Sequence, residues 1–245
     1  MVRFLPQIIH HLAVGSRHAG IMTDHHEHHS TAAASHGHYL PAAGHNLLLP
    51  GYDLFTRLLG IRRVHDRLID QAGLADGQRV LEIGCGPGDL SIRAQRRHPG
   101  VQVTGSDPDP LALAKAKRKA LGMNGIRFEQ GFVQSLPYPD GTFDRVLSSL
   151  MLHHVDNDAK AAAASEILRV LRPGGRLHLV DVGGAMHTTD GWATRMVLRN
   201  PHLVENVGEA IPDLFRAAGF DCTEVAGQRH WLAGRLSYIR AIRPA

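Results

Sequence analysis

Glu82, Gly84, Gly86, Gly88 and Asp107 are the residues whose types and spacing could do chemistry in this chain. The first four lie in Val80-Leu81-Glu82-Ile83-Gly84-Cys85-Gly86-Pro87-Gly88-Asp89, an apolar run that reaches a carboxylate and then breaks into three alternating glycines. Glycine lets the chain turn sharply and lets a ligand lie against bare backbone. A glycine loop between strand and helix is where open α/β sheets hold nucleotide-like ligands. Asp107 ends a second apolar run, Val101-Gln102-Val103-Thr104-Gly105-Ser106. Its carboxylate could accept from both hydroxyls of a ribose, or cap a helix beginning near Pro108 or Pro110. Glu82 could accept from a ligand ammonium, or cap the nearby loop amides. His153 and His154 follow a later apolar run, and imidazole has the pKa range of a general base. The structural alternative for each is packing against or capping the next helix.

Residues of this kind need strands to carry them and helices to cover them. Apolar runs at Arg79 to Ile83, Gln102 to Ser106, Ile126 to Glu129, Arg145 to Ser149 and Leu177 to Val182 read as strands, most of them separated by helical patterns. That alternation predicts an α/β fold built on a parallel sheet with helices on both faces. A helix is expected over Asp158 to Leu171, ended by Pro173-Gly174-Gly175. Another helix or broken helix pair is expected between Gly51 and Gly73, lying over the ligand side. Residues 183–207 form a long connection of mixed character, as lids often do. A last helix over Ala210 to Ala218 and a closing strand pair, Asp221 to Ala226 and Arg235 to Ile242, complete the reading.

With these elements in order, the chain resembles the class I S-adenosylmethionine-dependent methyltransferases. The resemblance rests on Glu82 to Gly88, on Val101 to Asp107, on Leu136-Pro137-Tyr138-Pro139-Asp140-Gly141-Thr142-Phe143-Asp144, on Leu152-His153-His154-Val155 and on Leu168 to Gly175. Several motifs in fixed order carry weight that one glycine motif does not. The resemblance implies a Rossmann-like, doubly wound seven-stranded sheet, mostly parallel with the last strand antiparallel. It implies S-adenosylmethionine as cofactor, held by Glu82, Gly84, Cys85, Gly86, Asp107 and Pro108. Phe132 stands where such enzymes usually carry an acid for the adenine amino group. Stacking by Phe132, or the Gln134 amide, would replace it, with Val133 offering its backbone N–H. Ser149, with Ser148, would face the methionine moiety. Asn46 to Gly60 is similar to the N-terminal helix of ubiquinone and menaquinone C-methyltransferases, and Tyr52 there could close over the cofactor carboxylate. The implied reaction is direct displacement of the methyl group onto a small-molecule acceptor, quinones included, with His153 or His154 as the candidate base.

Composition narrows the rest. The chain of 245 residues suffices for one α/β domain, taken as residues 46–245. Residues 1–45 hold ten of the eighteen histidines and no sustained apolar period, which predicts a flexible arm. Met22 offers an alternative start. The arm could chelate weakly through His25-His26-Glu27-His28-His29, but no structural-zinc spacing appears and no metal site is assigned. Only Cys85 and Cys222 occur, so a disulfide framework is not expected and a cytoplasmic location is. No apolar run is long enough for a membrane helix. The net charge of +4 includes Arg93, Arg96, Arg97 and Lys115, Lys117, Arg118, Lys119, read as solvated helix faces and not as a nucleic-acid patch, since no aromatics interleave them. The lack of an Asn/Asp-Pro-Pro-aromatic run after the fourth strand also argues against base methylation. The rival readings are a non-catalytic methyltransferase-like protein that binds a ligand or metal, and a nicotinamide-dependent oxidoreductase. The latter is disfavoured by Asp89 at the sixth loop position.

Overall fold

The computed structural model describes residues 60–231 and 233–245. The expected arm over 1–45, the helix proposed before residue 60 and Tyr52 lie outside the described residues. The first described helix, α1 (Ile61–Ala72), carries Ile61, Val64, Leu68, Ile69 and Ala72 at helical spacing and buries that stripe. It stops at Gly73, whose φ of 56° lies in the left-handed region that ends helices. There follow β1 (Arg79–Ile83), α2 (Asp89–Arg97), β2 (Gln102–Asp107), α3 (Pro110–Lys119), β3 (Ile126–Gln130) and β4 (Phe143–Ser149). A 3-10 turn (Leu152–His154) leads to α4 (Asn157–Val170) and β5 (Leu171–Val182). Then come a second 3-10 turn (Thr188–Asp190), α5 (Trp192–Arg199), α6 (Pro201–Val204), α7 (Ala210–Ala217), β6 (Asp221–His230) and β7 (Gly234–Ile242).

The strands make one seven-stranded sheet in the order β3-β2-β1-β4-β5-β7-β6. β1 runs parallel to β2 and β4, β3 to β2 and β5 to β4, while β7 is antiparallel to β5 and β6. This is the α/β, Rossmann-like, doubly wound sheet that the motif order implies. Chain order reverses direction between β1 and β4, and ligands of open α/β sheets sit outside the strand ends at such a point. Alternation along the strands divides the core. Leu81, Ile83, Val146, Leu177 and Leu179 meet Ala164, Ile167, Ile211 and Phe215 on one face. Val80, Leu147, Val180 and Tyr238 meet Val64, Leu68 and Leu90 on the other. Each fully buried large apolar side chain contributes roughly 1.5–3 kcal/mol of transfer free energy.

Four expectations need correction. α1 does not lie over the ligand side; it packs on a sheet face, where its apolar stripe meets Val80, Leu147 and Val180. Its C-terminal carbonyl, Ala72 O, accepts from Arg145 Nε at the start of β4. The helix expected to reach Leu171 ends at Val170, because Leu171 already pairs with Phe143. Pro173-Gly174-Gly175 therefore lies within the leading part of β5. β6 runs on to His230 instead of Ala226, since its pairing with β7 continues past a register shift between Glu224 and Ala226. The mixed segment over 183–207 contains α5 and α6.

Arg93 holds Asp66 with two hydrogen bonds, and Arg97 bridges Asp66 and Asp70. Lys119 pairs with Asp89. These basic residues thus tie α2 to α1 and α3 to α2. Among the described residues, no helix is long and apolar enough to cross a membrane.

Candidate functional site

β1 delivers Glu82 to its C-terminal end and then turns through Gly84, Gly86 and Gly88, each at positive φ (64°, 49° and 78°). The three glycines do different work. A side-chain carbon on Gly84 would overlap Met151, so the room spared there is filled by that side chain. At Gly86 nothing lies within 4 Å of the corresponding position, which leaves open space above the backbone. At Gly88 the added carbon would stand 2.7 Å from Phe128 Cζ and 2.9 Å from Ala116 Cβ, so this glycine lets α2, α3 and β3 close together. Cys85 is buried, and burial pushes its thiol well above the ordinary range, which leaves it unreactive as a nucleophile.

Asp107 ends β2 beside this turn. Gly86 donates its N–H to Asp107 Oδ2 at 2.7 Å, and Asp109 donates its N–H to Oδ1 at 2.9 Å. Burial raises the Asp107 carboxyl against the pull of those two bonds. The helix cap weighed for Asp107 belongs to Asp109, whose side chain accepts from Leu111 N–H at 2.8 Å at the start of α3. Each Asp107 oxygen retains a second acceptor site. Glu82 is buried and accepts from the Ser91 hydroxyl in the first turn of α2. Burial pushes its carboxyl up to about 8, the Ser91 hydrogen bonds oppose that, and Asp89 and Asp107 add to it. Glu82 and Asp107 thus stand beside one glycine turn, while Asp89 is paired with Lys119.

On the β3 side, Gln130 Nε2 donates to Pro108 O at 2.9 Å and pins the start of the segment after β2. Phe132 is 39% exposed and presents a free aromatic surface, while Val133 packs partly against the core. Ser135 donates its N–H to Phe132 O at 3.0 Å and closes that short loop. On the β4 side, the hydroxyls of Ser148 and Ser149 are buried with no hydrogen-bond partner among the described residues. The next residue, Leu150, has φ 55°, a left-handed conformation that costs a non-glycine residue of order 1 kcal/mol or more. Its N–H donates to Val180 O at 2.8 Å, which ties the strained turn to β5.

That turn aims His153 at Asp181. His153 Nδ1 lies 2.6 Å from Asp181 Oδ1, and Asp181 is fully buried. Asp181 also accepts from Leu152 N–H at 2.8 Å and from Val182 N–H at 2.7 Å. Burial alone would raise its carboxyl, but the His153 imidazole and the hydrogen bonds from His153 and Val182 outweigh burial and hold it below the usual carboxylate range. The ring of His154 lies 4.0 Å from that of His153, centroid to centroid, and His154 is exposed. Sequence reasoning missed Asp181. The available signal was an acid near the end of the Leu177–Val182 run, whose side chain β5 carries beside the end of β4. His187 caps the second 3-10 turn with Asp190 and stands apart from this pair. Among the described residues, no cluster of His, Cys, Asp and Glu could hold a metal ion.

A family model described as a methyltransferase domain matches residues 80–175. The chain is 37% identical over 139 residues to the demethylmenaquinone methyltransferase of Thermus thermophilus, a match covering 55% of this chain and 62% of that protein. It is 30% identical over 194 residues to the ubiquinone/menaquinone biosynthesis C-methyltransferase UbiE of Desulfotalea psychrophila, covering 69% of this chain and 77% of that protein. Among solved structures, an S-adenosylmethionine-dependent methyltransferase from Aquifex aeolicus superposes with a TM-score of 0.57 at 17% identity, over 73% of this chain and 89% of that one. The YcgJ protein of Bacillus subtilis gives 0.62 at 21% identity, over 75% and 99%. At those identities the structural matches establish the fold. The chain spans 62% of the Thermus relative and 56% of the Deinococcus radiodurans one.

Proposed function

The chain belongs to the class I S-adenosylmethionine-dependent methyltransferases, and from that premise we propose that it transfers a methyl group from S-adenosylmethionine to a small-molecule acceptor, with a quinol-like ring the leading candidate class. The observation that carries this reading is the Gly86–Asp107 pair: open space over a glycine turn, with a carboxylate fixed at its side by the Gly86 N–H at 2.7 Å.

Bound there, the cofactor supplies a sulfonium methyl, a good electrophile that needs no covalent enzyme intermediate. The residues fit its parts. Asp107 keeps one free acceptor site on each oxygen for the two ribose hydroxyls. Glu82 lies at the strand end for the ammonium, and the Ser149 hydroxyl, without a partner among the described residues, offers a further polar contact. The exposed Phe132 ring takes the place of the missing acid by stacking on adenine, with the Val133 backbone beside it. Gly84, Cys85 and Pro108 contribute backbone shape, and Tyr52 is assigned to the cofactor carboxylate. The chain's main catalytic work is to hold acceptor and methyl in line. On the acceptor side His153 is the candidate base, and exposed His154 is its neighbour. The residues over 46–245 form the catalytic domain in this reading, with 1–45 as an appended arm.

The test is calorimetric titration of the full chain with S-adenosylmethionine, S-adenosylhomocysteine and NADH, beside Asp107→Ala. Binding of the first two alone, lost in the variant, supports the reading. Binding of neither, in folded protein, overturns it in favour of a non-catalytic relative.

A further inference from the structure

We propose that Asp181 is a positioning residue that holds His153 with Nδ1 protonated and Nε2 bare, and that the acceptor is consequently one that must surrender a proton, an enol or phenol type O–H or an activated C–H. The inference rests on the methyltransferase reading above and deepens it.

The geometry is what assigns the role. Asp181 is fully buried, and its two oxygens are already committed to the Leu152 and Val182 N–H groups and to His153 Nδ1. A buried carboxylate with four donors, the His153 N–H at 3.4 Å included, cannot swing away, so the imidazole is held in one orientation and one tautomer. The backbone around it is equally fixed, since the Leu152–His154 turn follows strained Leu150, which is bonded to Val180. The side chain of His153 keeps 11% of its surface, so the ring is not sealed off. A ring that only filled space would not need a buried charge behind it, which costs more than an apolar neighbour of the same size. The groups that face this pair are His154 from the same turn, and Lys160 of α4, which reaches Asn206 at 3.1 Å and Glu205 at 3.8 Å. Asp156, preceding α4, acts on Lys160 as well.

The step balances. The acceptor's O–H or C–H proton passes to His153 Nε2, and the electron pair left behind takes the methyl carbon as the carbon–sulfur bond pair stays on sulfur. The imidazolium, stabilised by Asp181, then returns its proton to water. An acceptor with a free electron pair, such as a thiolate or neutral amine, gains nothing from this arrangement.

Two readouts on the full-length protein test it. Long-range ¹H–¹⁵N correlation of histidine-labelled protein reports the tautomer with no acceptor present. The expected result is protonated Nδ1 and bare Nε2 in the wild type, with that preference lost in Asp181→Asn. Turnover of 1,4-naphthohydroquinone as probe acceptor supplies the second. His153→Gln should lose ~10²–10⁴-fold in kcat, the usual span for a general base, with the KM for S-adenosylmethionine unchanged. Asp181→Asn should lower kcat while leaving the KM for S-adenosylmethionine unchanged. A wild-type Nε2–H tautomer, or an unchanged kcat in folded Asp181→Asn, overturns the proposal. So does full activity in His153→Gln, which needs no folded Asp181 variant. Failure to bind S-adenosylmethionine would instead sink the methyltransferase reading, and the tautomer result would still be readable.

Discussion

Glu82 shows how far one buried side chain can couple ligand and proton. With its carboxyl pushed up to about 8 by burial, it is mostly protonated at neutral pH. A cation arriving beside it would favour the charged form, so cofactor binding should release up to one proton. Titrations in buffers of different ionisation enthalpy should show that release at pH 7 and its disappearance in Glu82→Gln, and affinity should climb as pH rises towards 8. The glycines make a second residue-scale prediction. Gly86→Ala meets no neighbour and should cost the fold only the strain of positive φ, roughly 1–2 kcal/mol, while weakening cofactor binding by at least ~10-fold. Gly88→Ala should leave the binding surface alone but unfold the protein at lower urea, because its new carbon runs into Phe128. The sequence alone exposed all three glycines as a group. It could not separate them, since the neighbour of Gly84 is sixty-seven positions away at Met151 and that of Gly88 is forty away at Phe128.

At the scale of elements, the turn between β4 and α4 and the end of β5 behave as one unit. Asp181→Ala would strand the Leu152 and Val182 N–H groups in a dry interior, and each lost buried partner costs ~1–3 kcal/mol. The expected outcome is a drop in urea midpoint larger than that of His153→Ala, which leaves both amides satisfied. Strands β1 and β2 were legible because buried parallel strands read as short apolar runs, here ended by a glycine turn and by Asp107. The pair His153–Asp181 was not legible, because twenty-eight residues separate its members and only the parallel pairing of β4 with β5 brings them together. The start of β5 was hidden for a different reason. Pro173, Gly174 and Gly175 signal a stop by local preference, yet Leu171 and Arg176 pair with β4 on either side of them. The ligand-side role expected for the first helix failed similarly, since its apolar stripe fits a sheet face better than an open cleft.

Over the whole molecule, the buried titratable groups oppose one another across neutral pH. His178 lies inside β5 with both ring nitrogens lacking partners among the described residues. Burial, with Arg145, Arg176 and Arg240 nearby, lowers it to about 3. His65 on α1 is lowered to about 4, by burial first and Arg93 second. Both stay neutral in the fold while the unfolded chain protonates them near 6.5, so the unfolded state binds more protons and stability falls as pH drops below that value. Glu82 acts in the opposite sense. The fold holds its proton up to about 8 while the unfolded chain releases it near 4.5, so stability is lost as pH rises through that window. From about 4.5 to 6.5 the two histidines outweigh Glu82, and above 6.5 Glu82 acts without them. The melting temperature should therefore peak near pH 6.5 and decline on both sides. The two limbs have different owners, which makes the argument testable piece by piece. His178→Leu should flatten the acid side, because it removes a buried imidazole that no described residue hydrogen-bonds. Saturating S-adenosylmethionine should flatten the alkaline side, because its ammonium would hold Glu82 charged in the fold. A melting temperature that rises steadily from pH 6.5 to 8 in ligand-free protein would show that Glu82 does not hold its proton there, and with it the coupling between cofactor and fold would fail.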